Sequence, residues 1–148
     1  MASTQQEQRE AAQEISEAFV EAYNTGDTSL IEPVVTDDFV CHHHGAGVEL
    51  HGASEYAGRI KEMRGAFSEF KMAEDILVVE GDLAAAQFSW GGTHDGPFQG
   101  IDPTNESVHT SSLCLMRMDD GKLDEMWIYS DTPGMLEQLG LEPRFGED

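Results

Sequence analysis

Hydrophobic residues recur at helical spacing along the first part of the chain. Ala11, Ile15, Phe19 and Tyr23 are separated by four residues each, so they predict an amphipathic helix over about residues 4–24. The preceding Thr4-Gln-Gln-Glu7 has the spacing of a capping box, in which the threonine and the glutamate satisfy each other's free backbone amides. The pattern therefore predicts both the helix and its starting point.

Two further helical segments follow before the pattern changes. Leu30 and Ile31 predict a short second helix, whose regularity Pro33 limits. Ser54 is the predicted N-cap of a third helix, in which four apolar side chains share one face. These are Tyr56, Ile60, Met63 and Phe67. The first half of the chain is thus mainly helical.

From about residue 70 the hydrophobic period becomes two, which is typical of half-buried strands. Strands are predicted near residues 39–44, 70–78, 83–90, 108–118 and 123–130, and a short helix or turn over residues 133–139. Helices followed by antiparallel strands indicate the α+β class. We expect a single domain over residues 1–148, in which three helices pack on one strongly curved, mainly antiparallel sheet and leave a hollow between the layers.

The turn at Asp119-Asp-Gly121 determines which side chains share a face of the sheet. A three-residue loop pairs Met118 with Lys122, whereas a two-residue turn shifts the pairing by one and moves His109 to the other face. We prefer the three-residue loop. It places four candidate functional residues on one face: His109, Trp127, Tyr129 and Asp131.

The charge balance restricts the possible partners. Of 148 residues, 29 are acidic and 8 are basic, which gives a formal net charge of −21. Such a surface repels nucleic acid and anionic membranes, so neither is an expected partner. The acidic residues are scattered along the chain, and we interpret them as an adaptation to high salt, where screening reduces self-repulsion.

Other compositional features indicate a cytoplasmic protein. The sequence contains no apolar run long enough to span a bilayer, and its polar start does not resemble a signal peptide. The two cysteines, Cys41 and Cys114, lack the spacing of a zinc site and are too few for a disulfide framework. We expect both to be buried small apolar groups.

The stretch from Ser89 to Thr104 and the end of the last strand carry the candidate pocket residues. Trp90, Trp127 and Tyr129 are the expected platforms for a small apolar or aromatic ligand. His94, in a glycine-rich bend, is a further candidate for ligand contact, although it could instead hold the bend through bonds to the backbone.

The run His42-His43-His44 raises the question of a metal site. Alternate histidines on a strand point the same way and could share a metal with His94 or His109. Three adjacent histidines match no fixed metal spacing, so we expect no metal and no other cofactor. We predict that His42 enters the pocket mouth, while His43 and His44 lie in a loop.

A series of motifs in the second half of the chain resembles the SnoaL-like polyketide cyclase (ester cyclase) family. The motifs are Gly92-Thr-His-Asp-Gly-Pro-Phe-Gln-Gly100, Asp102-Pro-Thr104, Gly121-Lys-Leu-Asp-Glu-Met-Trp127, Asp131 and Leu136-Glu-Gln-Leu-Gly140. The resemblance implies a nuclear-transport-factor-2-like cone with an apolar pocket, often dimeric through the sheet. It also implies a cofactor-free intramolecular aldol condensation that closes a ring of an aromatic polyketide ester.

The resemblance also suggests roles for single residues. Asp131, four residues after Trp127, takes the place of the family's acid/base carboxylate, with His109 or His42 as its histidine partner. Two other functions remain open at this point. One is a domain of the same fold that binds a small molecule without converting it, and the other is a metal-dependent enzyme that uses the histidine cluster.

Overall fold

The long first helix begins and ends where its capping residues predict. The computed structural model describes residues 4–44 and 47–141. Helix α1 spans Gln5–Thr25, and both hydrogen bonds of the capping box between Thr4 and Glu7 are present. At its end, Gly26 has a φ of +82°, a left-handed conformation that suits glycine. The predicted face, including Ile15, Phe19 and Tyr23, is buried.

The next two helical segments differ in detail from the prediction. The second is a pair of 3₁₀ turns, Thr28–Leu30 and Glu32–Val34, because Pro33 limits regular helix formation. Helix α2 spans Gly52–Ala66 and starts before Ser54, so the predicted cap is wrong. Instead, the Glu55 carboxylate accepts a hydrogen bond of 2.8 Å from the backbone N–H of His51.

Within the described residues, six strands form one sheet with the order β2-β1-β6-β5-β4-β3, in which only the β1–β6 pair is parallel. Their bounds are Val35–His43 (β1), Val48–His51 (β2), Phe67–Glu80 (β3), Leu83–His94 (β4), Ser107–Asp119 (β5) and Lys122–Ser130 (β6). Strand β2 was not predicted, and β3 begins at Phe67, which the helical pattern had assigned to α2. Helix α3, Thr132–Gln138, follows β6.

The turn between β5 and β6 is the two-residue form, so the preferred three-residue loop is wrong. Asp119 pairs with Lys122, and Asp120 and Gly121 both have positive φ, of 52° and 81°. A bulge next to Arg117 shifts the register once more.

The bulge restores the strand faces that the three-residue loop predicted. Compared with the three-residue loop, the two-residue turn shifts the pairing of β6 by one residue and the bulge shifts it by one more. A total shift of two residues leaves every β6 side chain on its predicted face, although its cross-strand partner changes. Leu115 therefore lies opposite Trp127, and Leu113 opposite Tyr129. His109, Trp127 and Tyr129 share one face as predicted.

The helices cover only one face of the sheet. Phe39, Phe67, Met116 and Leu123 point to this inner face and are almost completely buried beneath α1 and α2. Bulges in the β3–β4 pairing, with Glu69 at a φ of +53°, bend the sheet around the helices. The predicted α+β arrangement of helices on a mainly antiparallel sheet is confirmed. None of the described helices has the length and apolar character needed to cross a membrane.

Candidate active site

A cavity lies between the helices and the inner face of the sheet. The volume inside it that a water molecule can reach is about 80 Å³. Methionines and aromatic side chains form nearly half of the wall: Met63, Met72, Met116, Met126, Met135, Phe19, Tyr23, Tyr56, Phe88, Trp90 and Phe98. Flat rings and adaptable thioethers suit a flat apolar ligand.

One end of this cavity is polar. The inward side chains of β1, β6 and β5 place His43, Ser130 and Ser112 in a row across three neighbouring strands. The Ser130 Oγ lies 3.0 Å from the Ser112 Oγ and 3.5 Å from the His43 Nε2. The cavity therefore combines an apolar wall with a short hydrogen-bonding row.

Arg59 of α2 faces this row from the helical side. One of its terminal nitrogens lies 3.3 Å from His43 Nε2. Since a guanidinium only donates, Nε2 is the acceptor, and the ring is neutral in this arrangement. Burial, and secondly the charge of Arg59, lower the pKa of His43 to about 4.

Asp131 stands where β6 ends and α3 begins. Its backbone N–H donates to the carbonyl of Ser111 at 3.3 Å, and its side-chain Oδ1 accepts from the backbone N–H of Gly134 at 3.1 Å. The second contact makes Asp131 the N-cap of α3. Asp131 and Thr132 also line the cavity, although Asp131 is exposed overall. The carboxylate thus has a structural role, and the residue that carries it lines the cavity.

Other polar groups inside the cavity are neutral. The hydroxyl oxygens of Tyr23 and Tyr56 are 2.9 Å apart, and burial raises the pKa of Tyr23 to about 12. Among the described residues, the buried hydroxyl oxygen of Thr110 has no hydrogen-bond partner. Burial also raises the pKa of Cys114, which lines the cavity, to about 12, and it has the same effect on Cys41, which does not line the cavity. Both cysteines are buried, as predicted.

Three predicted pocket residues lie on the wrong face of the sheet. His109, Trp127 and Tyr129 point to the outer face, and none of them lines the cavity. Their shared face was predicted correctly, but the helices cover the opposite one. The prediction that His109 meets Asp131 in the pocket is wrong for this reason.

The histidine run is also placed differently. Phe39 and Cys41 point inward on β1, so alternation sends His43 inward and His42 outward. His42 stacks on Trp127 and lies 2.7 Å from the Glu125 carboxylate, away from the cavity mouth where it was predicted. Within residues 4–44 and 47–141, no three His, Cys, Asp or Glu side chains cluster closely enough to hold a metal ion.

Of the remaining two candidates, Trp90 lines the cavity and His94 does not. Trp90 lies in the cavity wall, stacked on Phe70 with ring centroids 5.4 Å apart. His94 is completely buried outside the cavity, where its Nδ1 accepts from the backbone N–H of Thr104 at 3.2 Å. The structure therefore shows His94 holding the bend through Thr104, which is the structural alternative that the sequence left open.

The sequence reasoning missed His43 and Arg59, although a signal existed for each. The inward alternation of Phe39 and Cys41 predicts an inward His43 once β1 is extended to its full length. Arg59 lies three residues after Tyr56 and four before Met63, on the predicted buried face of α2. A basic residue among buried positions of a helix is itself an indication of function.

Comparison with known proteins identifies the family. Residues 13–139 match the family described as SnoaL-like polyketide cyclase. The chain belongs to this family. The SnoaL-like chain is 30% identical over 126 residues to the nogalonic acid methyl ester cyclase of Streptomyces nogalater, which covers 82% of this chain and 91% of that protein. It is also 30% identical to the aklanonic acid methyl ester cyclase DauD of Streptomyces sp. (strain C5), over 82% of this chain and 76% of that protein.

A solved structure agrees with the family assignment. TsrD from Streptomyces laurentii superposes with a TM-score of 0.80 at 27% identity, covering 89% of the SnoaL-like chain and 96% of TsrD. The predicted nuclear-transport-factor-2-like fold is therefore confirmed. The cyclase relatives support the predicted cyclase function over a non-catalytic binding domain or a metal-dependent enzyme.

Proposed function

We propose that this protein closes a ring of a polyketide methyl ester by an intramolecular aldol condensation, with Asp131 as the acid/base group. The observation that carries this proposal is that Asp131 is one of the residues lining a cavity whose wall includes many aromatic and methionine side chains. Named relatives act on nogalonic and aklanonic acid methyl esters, which supports this class of substrate.

The chemistry requires only proton transfers and one new bond. Asp131 takes a proton from the carbon next to a carbonyl group, and an enolate forms. The enolate carbon attacks a second carbonyl carbon of the same molecule, so that a C–C bond forms and the oxygen becomes an alkoxide. The protonated Asp131 then returns the proton to this oxygen. Atoms and charge balance, and nothing is oxidised or reduced.

The cavity wall supports this reaction by orienting a flat molecule. Trp90, together with Phe70 behind it, presents a rigid ring face to the cavity. Such a surface holds a planar polycycle without hydrogen bonds, and leaves the polar end of the cavity for its carbonyl oxygens. Holding both carbonyl carbons of one substrate close together lowers the barrier to ring closure.

The test is a set of substitutions at Asp131 that separates its two roles. Asp131→Asn and Asp131→Ser keep a side chain that caps α3 but remove the base. We expect both variants to melt like the wild type and to lose about 10²-fold or more in kcat with aklanonic or nogalonic acid methyl ester. Asp82→Asn, at an exposed turn, is the matched control. Undiminished turnover by Asp131→Asn would refute the role of this carboxylate.

We also propose that two copies of the chain associate through the outer face of the sheet. Two adjacent cross-strand rows of this face run over four strands, β3 to β6, and are apolar except for Gln87 of β4. Val78, Leu115 and Trp127 lie in one row, and Ile76, Leu113 and Tyr129 in the other. Ile76 and Val78 are 53% and 58% exposed, which is unusual for adjacent large apolar residues.

A further inference from the structure

Arg59 is a cation in a mainly apolar site. Its side chain is 11% exposed, and it lines both the cavity and a second hollow that opens beside it. The two hollows share His43, Arg59 and Gln99, so Arg59 stands at the junction between them. A charge at such a place is costly unless it is compensated.

The described residues compensate this charge only weakly. Arg59 donates to Glu62 at 3.3 Å, and Glu62 is half exposed. Its other hydrogen bond, also 3.3 Å long, goes to the neutral ring of His43. The ring of Phe98 lies 6.0 Å from the guanidinium carbon. Glu55, which lines the second hollow, accepts from the backbone at the start of α2.

A guanidinium carries five N–H donors, so these contacts leave donors for a ligand. We propose that Arg59 is the anion-binding group of the site, and that it holds an oxyanion of the bound substrate, such as an enolate, a phenolate or a carboxylate. For the identity of the substrate oxygen, this inference rests on the proposed aldol reaction. In that reaction the negative charge that Asp131 creates on carbon moves to the carbonyl oxygen, and Arg59 stabilises it there.

His43 contributes to this role by its neutral state. A protonated ring would repel the guanidinium, whereas a neutral ring orients the guanidinium by accepting one of its N–H groups. His43 is in this respect a positioning residue for Arg59. The pair gives the cavity a fixed positive charge at its polar end, within a protein whose net charge is −21.

The test compares two ligands that share one ring system, the anion 1-hydroxy-2-naphthoate and its methyl ester, which is uncharged at the carboxyl group and larger by one methyl group. Their dissociation constants are measured by calorimetry with the wild type, Arg59→Gln, Arg59→Lys and Lys61→Gln. Lys61, an exposed cation on the same helix, is the matched control for the loss of one positive charge. We expect Arg59→Gln to weaken naphthoate binding about tenfold or more and ester binding by less than about threefold, because a hydrogen bond to a charged group is lost. Arg59→Lys should lie between the wild type and Arg59→Gln.

A second readout shows whether the naphthoate reaches the guanidinium. The ring of His43 is followed by NMR as a function of pH. A bound anion next to Arg59 offsets its charge, so saturating naphthoate should raise the pKa of His43 relative to the saturating ester. A role of Arg59 in folding alone would not produce this difference.

Several results would overturn the proposal. These are equal naphthoate binding by Arg59→Gln and the wild type, an equal loss in Lys61→Gln, or no naphthoate binding by the wild type. None of the binding experiments requires turnover, so a failure of the Asp131 variants to lose activity would refute the proposed function and leave the anion site standing.

Discussion

The Nε2 atom of His43 lies 3.3 Å from a terminal nitrogen of Arg59, and the guanidinium can only donate in this contact. The relationship has a thermodynamic consequence. Burial and the nearby charge lower the pKa of His43 to about 4 in the folded protein, whereas the unfolded chain has the usual value of 6.5. Between these two pH values the unfolded chain binds more protons than the folded one.

The free energy of unfolding should therefore fall as the pH decreases from 6.5 to 4, and the part due to His43 should be constant above about 6.5. His43→Gln removes this titration. Chemical denaturation of both proteins across this range should show the wild type losing stability relative to the variant by about 1.4 kcal/mol for each unit of pKa shift. If the difference in stability between the wild type and His43→Gln did not change with pH, this would contradict the neutral state of His43 in the folded protein.

The same titration in Arg59→Gln separates the two causes. Burial is the larger cause and remains in the variant, so the pKa of His43 should rise from about 4 but stay below 6.5. NMR of the histidine ring gives this value directly. A full return to 6.5 would show that the charge, rather than burial, dominates.

Gly134 lies directly against the Asp131 carboxylate. A Cβ atom added at this position would overlap that carboxylate, so the Asp131 side chain would have to move. Gly134→Ala should displace the carboxylate and remove the cap of α3, at a cost of about 1 kcal/mol in stability and with a loss of turnover like that of Asp131→Asn. Gly65→Ala is the matched control, since nothing lies within 4 Å of its added Cβ. Gly65→Ala should raise the free energy of unfolding by up to ~1 kcal/mol, because alanine has a higher helix propensity than glycine. Full activity of Gly134→Ala would show that the carboxylate position tolerates displacement.

The exposed leucines of β5 provide a test of self-association. Leu115 lies near the centre of the apolar rows on the outer face and is 44% exposed. Leu115→Asp should convert a dimer into a monomer in sedimentation velocity, because a buried unpaired charge is costly. Leu141→Asp, at an exposed leucine outside the sheet, should leave the dimer intact. A monomeric wild type at tens of micromolar would refute the proposed interface.

The excess of acidic residues predicts a dependence of stability on salt. With 29 acidic and 8 basic residues, mutual repulsion destabilises the folded state at low ionic strength. The melting temperature should rise with added KCl. Most of the rise should occur below about 1 M, because the screening length is already only about 3 Å at that concentration. No rise would count against adaptation to high salt. A rise that continues linearly to 3 M would indicate exclusion of salt from the surface instead of screening.

Local sequence features were sufficient for most of the fold. The capping box at Thr4 and the helical spacing of Ile15 and Phe19 determined α1, since these interactions lie within a few residues of one another. The change of period after the third helix determined the α+β class. Strand β2 was missed because its four residues, mostly exposed, have no clear alternation.

The side chains at the candidate site were harder to predict. The sequence correctly placed His109, Trp127 and Tyr129 on one face, because alternation along a strand is a local property. The alternation did not show which face of the sheet the helices cover. In the structure they cover the face that carries His43, so His109, Trp127 and Tyr129 lie on the outer face.

What the sequence alone determined is therefore the set of elements, their faces and the family motifs, all of which follow from short-range periodicity and local caps. Only the tertiary structure decided that Arg59 of α2 meets His43 of β1, and that Asp131 both caps α3 and lines the cavity. The physical reason is that the packing of helices on a sheet brings together residues that are far apart in the chain. Where both faces of a sheet carry apolar residues, no local pattern specifies which face the helices will cover.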